Sequence, residues 1–526
     1  MGIRNPQVDA IFAEWAKPRS PGVALAVIHD GALVYEQGYG SADLEHDIPI
    51  TPSSIFHVAS VSKQFTAMSI MLLAAEGRLS LDDDVLEYLP FVPDFGHVIR
   101  VRHLIHHTSG LRDQWQLMRL SGVRMDDVIT QQHIVKAVAR QRELNFAPGD
   151  DHLYCNTGYT LLAEIVTKVS GQPFVDFTRD HIFTLLGMQD THFHLDHEEI
   201  VKNLAYSYAP HLAGGFKKKV LSFANVGATS LFTTARDLFR WMLNFETHSV
   251  GGAAAMDLMH RQCVLNSGKT IDYAGGLSVG QYKGLRTVGH GGSDAGYRSY
   301  CGRFPDQRLG IAVLGNLSSL RCQELAQKVA EVYLADQMVE PAAAPAQAKP
   351  WLPLPALAGA YFLSDAGIMI TVHDKNGRLL AHVESEPDSE LVRTGPLGFL
   401  YAPLGVTLQF TVDDTGVVAG FSVPSLGYSA VRLNPQTIDR QALADYTGRY
   451  FSPELDTTYT VSVAGSGLVL QHWRLDDAPL VFVGDDRFVA RRSDSPELRF
   501  ERREGRVVGF RVMAGRVRNL GFGRVG

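Results

Sequence analysis

Cysteine is scarce in this sequence: Cys155, Cys263, Cys301 and Cys322 are spread over 526 residues without a CxxC pair. That spacing excludes a disulfide-stapled scaffold. Long apolar runs are missing as well. No stretch approaches the ~20 apolar residues that span a bilayer, and the opening MGIRNPQVDAIFAEW lacks the apolar core of a secretion signal. The chain is therefore expected to be cytoplasmic, with no membrane partner. Positive charge is not in excess, since 49 Lys and Arg face 56 Asp and Glu for a net charge of −7, so no nucleic-acid partner is expected. There is no G-x-S-x-G elbow, which argues against an α/β-hydrolase. What is present is 45% apolar and 20% charged residues, an ordinary globular profile. At ~150 residues per domain, the length corresponds to about three domains.

From Val23 to Tyr39 the chain reads VALAVIHDGALVYEQGY, two apolar runs joined through Asp30-Gly31. Asp-Gly supplies the positive φ angles of a tight turn, which predicts a hairpin. Ser60 to Glu76 reads as a helix with Phe65, Met68, Leu72 and Leu73 on one face and Gly77 as its C-cap. Strand patterns return near Thr287 in TVGHGG, YRSYCGRF and GIAVLGNL, and Gln323 to Met338 is patterned as an amphipathic helix. Strands at both ends with helices between predict one α/β (α+β) domain over residues 1–338, its sheet assembled from both termini.

Residues 339–355 form a Pro/Ala-rich stretch, read as a stiff linker. Beyond it the pattern is alternating, with Asp-, Asn- and Gly-containing turns. This tail repeats itself: Gly359-Ala360-Tyr361-Phe362 recurs as Gly448-Arg449-Tyr450-Phe451, an offset of 89 residues. The same offset carries Val372 to Val461, Phe399 to Phe488 and Gly420-Phe421 to Gly509-Phe510. The repeat predicts two small antiparallel all-β barrel or sandwich domains, 356–435 and 441–526.

Three places carry chemistry. Ser60-Val61-Ser62-Lys63 stands at the predicted helix start, where positions i and i+3 share a face. A lysine amine there can take the serine proton and make Ser60 a nucleophile, while the helix N-terminus suits a developing oxyanion. In Tyr154-Cys155-Asn156, Tyr154 is a candidate proton shuttle beside a cationic lysine, and Asn156 can hold Lys63 or bind a substrate amide. His290-Gly291-Gly292-Ser293 follows a strand pattern. Its two glycines let a substrate backbone approach, the Ser293 N–H is a candidate second oxyanion donor opposite the Ser60 N–H, and His290 can serve as proton donor or cation. Each signal alone also fits a plain reading: a solvated helix start, a turn asparagine beside a packing tyrosine, and a strand-end turn.

In this order, however, Ser-x-x-Lys, Tyr-x-Asn and the His-Gly-Gly strand resemble the penicillin-recognising serine hydrolases: class C β-lactamases, DD-peptidases and their esterase and aminopeptidase relatives. His107-Thr108-Ser109-Gly110-Leu111, Pro148-Gly149, Asn156-Thr157-Gly158-Tyr159 and Gly77-Arg78-Leu79-Ser80-Leu81-Asp82-Asp83 are also similar to that family, across roughly residues 5–338. The resemblance implies a β-lactamase-like domain in which an antiparallel sheet is flanked by helices beside a helical subdomain, with the site in the groove between. Within the family the likeness is to the D-aminopeptidase branch, which also carries two C-terminal β-barrels. It implies an acyl-enzyme hydrolase of small peptides or amino-acid amides with D-stereospecificity, working without cofactor or metal. Within the same fold the alternative is a carboxylesterase or a weak β-lactamase or DD-peptidase. Outside enzymes it is a penicilloyl-accepting or scaffold protein. The implied partner is a small molecule or short peptide, and a homodimer is the assembly considered. One departure stands out. That branch reaches its site with a long loop of the last domain, whereas Leu470 to Val483 here reads as a short hairpin carrying Asp476 and Asp477.

Other signals are set aside. His103, His106 and His107 are not read as a zinc site, because His107 belongs to the family-like His107–Leu111 run, and His192-Phe193-His194 with Asp196 and His197 reads as a solvated loop. Gly465-Ser466-Gly467 is a hairpin turn and not a phosphate loop, and Cys155 is read as inert packing.

Overall fold

Asp30 and Gly31 both take positive φ (49° and 76°), closing the hairpin between β1 (Val23–His29) and β2 (Ala32–Tyr39). The computed structural model describes residues 5–211, 213–339, 351–363, 367–383, 388–401, 406–424, 428–492 and 496–526, so most of the linker stretch 339–355 lies outside the described residues. β1 is buried from Val23 to Ile28 because it is interior to its sheet. Its second neighbour comes from the far end of the region, Val23 standing opposite Gly315. With β3 (Ser278–Tyr282), β4 (Leu285–Asp294), β5 (Tyr297–Phe304) and β6 (Leu309–Gly315), the sheet runs β3-β4-β5-β6-β1-β2, each pair antiparallel. The strand patterns around TVGHGG, YRSYCGRF and GIAVLGNL are thus β4, β5 and β6.

Helices cover both faces, as the domain class requires. The amphipathic segment near the end forms Cys322–Leu334, whose Leu325, Val329 and Ala330 join Val8, Phe12, Val23, Leu25 and Ile311 in one core. On the other side, Ala235–Thr247 packs on β1 and β6 and buries Trp241 completely. Trp241 lies 4.4 Å, ring to ring, from Phe65 of α1 (Ser62–Ala75). Here the expectation of a single apolar face is corrected. α1 is buried on all sides from Ser62 to Met71, while Leu72 is only half-buried. A central helix wrapped by neighbours has no wet face to pattern. Gly77 does close it, at φ 69°.

Residues Gly359–Leu363 to Tyr428–Leu433 form a closed eight-stranded antiparallel barrel, and Gly448–Ser452 to Val517–Val525 form another. The 89-residue offset has a physical basis in equivalent roles. Tyr361 and Tyr450 are both fully buried, and each hydroxyl donates to the carbonyl four residues earlier, Leu357 at 2.6 Å and Tyr446 at 2.7 Å. A Cβ on Gly420 would lie 2.0 Å from the Ala430 carbonyl, and one on Gly509 2.4 Å from that of Phe522. Both barrels are filled with side chains, Phe399, Phe410 and Phe421 in the first and Phe488, Phe500, Phe510 and Phe522 in the second.

The chain divides into two compact units: 1–111, 125–139 and 146–342 in one, 112–124, 140–145 and 343–526 in the other. The second unit thus takes two short segments from within the first 338 residues. Helix Gln114–Leu120 buries Leu117 and Leu120 in the core of the last barrel, and Tyr459 donates to the Leu120 carbonyl at 2.8 Å. Beside it the fully buried Arg112 guanidinium donates to Glu454 and to the carbonyl oxygens of Arg518 (3.1 Å) and Asn519 (3.3 Å). In the same unit the Leu470–Val483 region is the short hairpin expected of it, with Asp477 accepting from Gln471 at 2.8 Å.

The histidine cluster at 192–197 is only in part the solvated loop its polar composition predicts: Asp196 and His197 are exposed, whereas His192 and His194 are enclosed. His192–Phe193 is a strand paired with Leu231–Thr233, His192 is half-buried and His194 is buried. Ladder pairing and the Phe232 ring enclose what polarity alone reads as wet. No helix among the described residues is long and apolar enough to cross a membrane.

Candidate active site

Ser60 lies on a single 3-10 turn, Ala59–Val61, that leads into α1 rather than on the α-helix itself. Ala59 has φ 47°, an unfavourable value for a residue with a side chain, so the turn needs external support. Two bonds supply it: Ala59 N–H donates to His57 Nδ1 at 3.2 Å, and Ser62 Oγ donates to the Ala59 carbonyl at 2.5 Å. His57 in turn lies 3.1 Å from Thr229 Oγ1, which donates to Asp294 at 2.5 Å.

Lys63 is fully buried one helical turn beyond Ser60. Its Nζ is 3.0 Å from Ser60 Oγ, 2.8 Å from Asn156 Oδ1 and 2.7 Å from the Ala228 carbonyl. Asn156 opens α2 (Asn156–Ser170), and Ala228 precedes the Leu231–Thr233 strand. Three separate elements therefore fix the amine beside the hydroxyl. Of the two roles read for Asn156, holding the lysine is the one the geometry displays.

Tyr154 is in the same cluster, with Lys63 Nζ 5.0 Å from its ring centre. Its ring packs 4.3 Å from His107 and 6.0 Å from His290. Cys155, between Tyr154 and Asn156 in the sequence, is buried packing, its thiol donating to the Leu111 carbonyl at 3.3 Å.

His290, Gly291, Gly292 and Ser293 run along β4. β3 pairs with β4 only as far as Gly289, so beyond that point the strand is laddered to β5 on one side. An edge of this kind can pair with an extended substrate backbone. The two glycines differ in need. A Cβ on Gly292 would stand 2.3 Å from the Val58 carbonyl and 3.1 Å from Ala59 Cβ, whereas one on Gly291 would meet only an ordinary 3.7 Å contact. Gly292 is what lets the strand lie against the Ala59–Val61 turn, and Ser293 follows directly. His290 is buried, with Nε2 3.1 Å from the Tyr273 hydroxyl and Nδ1 2.6 Å from the Gly291 carbonyl. Burial, then the Lys63 charge, lowers its pKa to about 4. At neutral pH it offers hydrogen bonding rather than positive charge.

Two groups at this site carry no sequence signal. Tyr273 is buried against His107, Tyr154 and His290, and the His57–Thr229–Asp294 chain supports the strained turn. Neither lies within a motif, so only folding reveals them.

A serine hydroxyl beside a buried, hydrogen-bonded lysine, next to a strand of an antiparallel sheet, is the arrangement of one class of protein, the serine hydrolases. The sequence profile of the family described as Beta-lactamase matches residues 8–334, and the chain belongs to that family. It is 29% identical over 415 residues to "Penicillin-binding protein 4*" of Bacillus subtilis (strain 168), covering 75% of this chain and 90% of that one. It is 26% identical over 528 residues to "D-aminopeptidase" of Brucella anthropi, covering 96% of both. Among solved structures, D-amino acid amidase from Ochrobactrum anthropi SV3 complexed with L-phenylalanine amide aligns at 25% identity and TM-score 0.53, over 63% of this chain and 99% of that one.

The buried imidazoles set a stability profile. Burial lowers the pKa of His57 to about 3 and that of His290 to about 4, against 6.5 for an ordinary histidine. Above pH 6.5 both states are neutral and neither group affects stability. Below it the unfolded chain takes up protons that the folded one refuses, so stability falls as pH drops toward 4. Each contributes a loss on the order of 3 kcal/mol. The melting temperature is expected to be lower at pH 4.5 than at pH 7, and the drop smaller in His290→Asn. Equal drops in wild type and variant would rule out His290 as a source.

Proposed function

We propose that this chain is a D-stereospecific aminopeptidase or amidase that cleaves short peptides and amino-acid amides through an acyl-enzyme on Ser60. The Lys63 amine, held 3.0 Å from Ser60 Oγ by Asn156 and Ala228, is the observation that carries the mechanism. In its neutral form Lys63 gives two N–H bonds to those oxygens and turns its lone pair to the serine proton. Ser60 Oγ attacks the substrate carbonyl, its proton passes to Lys63, and the Ser60 and Ser293 N–H groups hold the oxyanion. The proton moves by way of Tyr154 to the leaving amine as the C–N bond breaks. Water then attacks the ester with Lys63 or Tyr154 as base, releasing the acid and restoring Ser60. Asn156, His290, Gly291 and Gly292 line and position this site. Likeness to a D-aminopeptidase over 96% of both chains, barrels included, supports the D-amide reading.

A panel of D- and L-amino-acid p-nitroanilides, p-nitrophenyl esters and nitrocefin tests it. D-anilides are expected to be cleaved at least ~100-fold faster than L-anilides, about what a few kcal/mol of pocket discrimination delivers. Turnover of esters alone, or no stereochemical preference, would overturn the specificity. A cytoplasmic location accords with four cysteines outside any disulfide and is tested by cell fractionation. For the homodimer, light scattering must give twice the 57.8 kDa of one chain.

A further inference from the structure

Outside the serine site, one cluster is arranged to hold an ion. In a strand, residues i and i+2 face the same way. Phe193 turns into the core against Phe174 (4.7 Å) and Phe183 (6.1 Å), leaving His192 and His194 together on the other face. The backbone is fixed there, for Phe193 pairs with Leu231 and His194 N–H donates to the Ser230 carbonyl at 2.8 Å. The Phe232 ring sits 5.7 Å from that of His192 and 4.5 Å from that of His194, which limits their rotation. A tight turn then brings a carboxylate back. Glu198 N–H donates to Asp196 Oδ1 at 3.0 Å and Glu199 N–H to the Asp196 carbonyl at 3.1 Å, and Glu199 Oε2 ends 3.7 Å from His194 Nδ1.

We propose that His192, His194 and Glu199 form a binding site for a divalent zinc-type cation. One ring nitrogen from each histidine and a Glu199 oxygen lie within 4.8 Å of one another, so a small inward movement brings all three to the ~2.0–2.2 Å of zinc bonds. A second observation is independent of that spacing. His192 Nε2 and His194 Nδ1 are buried and have no hydrogen-bond partner among the described residues. Buried imidazole nitrogens normally find a donor or acceptor, and two left open beside a carboxylate match what a metal satisfies. Two imidazoles and one carboxylate favour zinc over calcium or magnesium, which prefer oxygen alone. Water completes the coordination.

The ion would tie the 196–199 turn to the strand that continues from Ala228 and Ser230. Its role is structural, since its ligands are distinct from Ser60, Lys63 and Tyr154. The other cluster of metal-ligating type, Asp43, Glu45 and His46, differs. His46 Nδ1 is already 2.7 Å from Asp43, and Glu45 and His46 are exposed. It serves as the control.

The test uses the full chain without an affinity tag, stripped with a chelator and titrated with Zn²⁺ alone. One equivalent is expected to bind and to raise the melting temperature by about 3–6 °C at saturation. Co²⁺ in its place is expected to give visible d–d bands. His192→Asn, His194→Asn and Glu199→Gln should each weaken binding at least tenfold, while His46→Asn binds as wild type does. Glu199 is exposed, so Glu199→Gln keeps the test decisive if a histidine variant fails to fold. No binding at about 100 μM Zn²⁺, binding unchanged in Glu199→Gln, or binding lost in His46→Asn would each overturn the site.

Discussion

Replacing Ser60 by Ala is expected to lower kcat for every substrate by about 10⁴-fold or more, with little change in substrate affinity. In the proposed mechanism the hydroxyl is the atom that forms the covalent intermediate, and nothing else in the cluster replaces it. The change removes one oxygen from a half-buried position and leaves the Lys63 bonds to Asn156 and Ala228 in place. Stability should therefore move by less than about 0.5 kcal/mol. Intact-mass spectrometry adds a direct check: a slow ester substrate should leave an acyl adduct on the wild type and none on the variant. Turnover within tenfold of wild type, or an adduct that persists without Ser60, would reject the mechanism.

The second large effect lies in the other unit. Arg112 and Glu454 are paired with side chains 0% and 5% exposed, and Glu454 also accepts the Arg142 N–H at 3.0 Å. Burial pulls the Arg112 pKa down while Glu454 opposes the shift. Leaving either charge alone in that setting costs about 3–5 kcal/mol. Arg112→Ala and Glu454→Ala are thus expected to destabilise by that amount in urea unfolding. A double Arg112→Met, Glu454→Met replacement should recover most of the loss, because it strands no charge. A loss below about 1 kcal/mol in both single variants would show that solvent reaches the pair.

Much of the architecture was legible because it rests on short-range physics. Asp30-Gly31 announces its turn through two positive φ values. The 89-residue repeat survives because each barrel needs the same buried tyrosine and the same glycines where strands meet closely. Ser60 and Lys63 were visible because helical spacing puts them together. α1 misled the reading because a helix buried on every side carries no periodic signal. The histidines at 192 and 194 misled it because polarity predicts water where the strand pairing and Phe232 enclose them.

The sequence by itself determined the serine–lysine juxtaposition, the antiparallel sheet drawn from both ends of its region, and the paired barrels. Each depends on residue type and on spacings along the chain. Only the tertiary structure decided which groups hold Lys63, how His57, Thr229 and Asp294 support the strained turn, and that Arg112 is paired with Glu454 in the barrel unit. These are contacts between residues 65 to 342 positions apart, or through backbone carbonyls that every residue carries alike. Local sequence holds no record of such meetings, because long-range packing creates them.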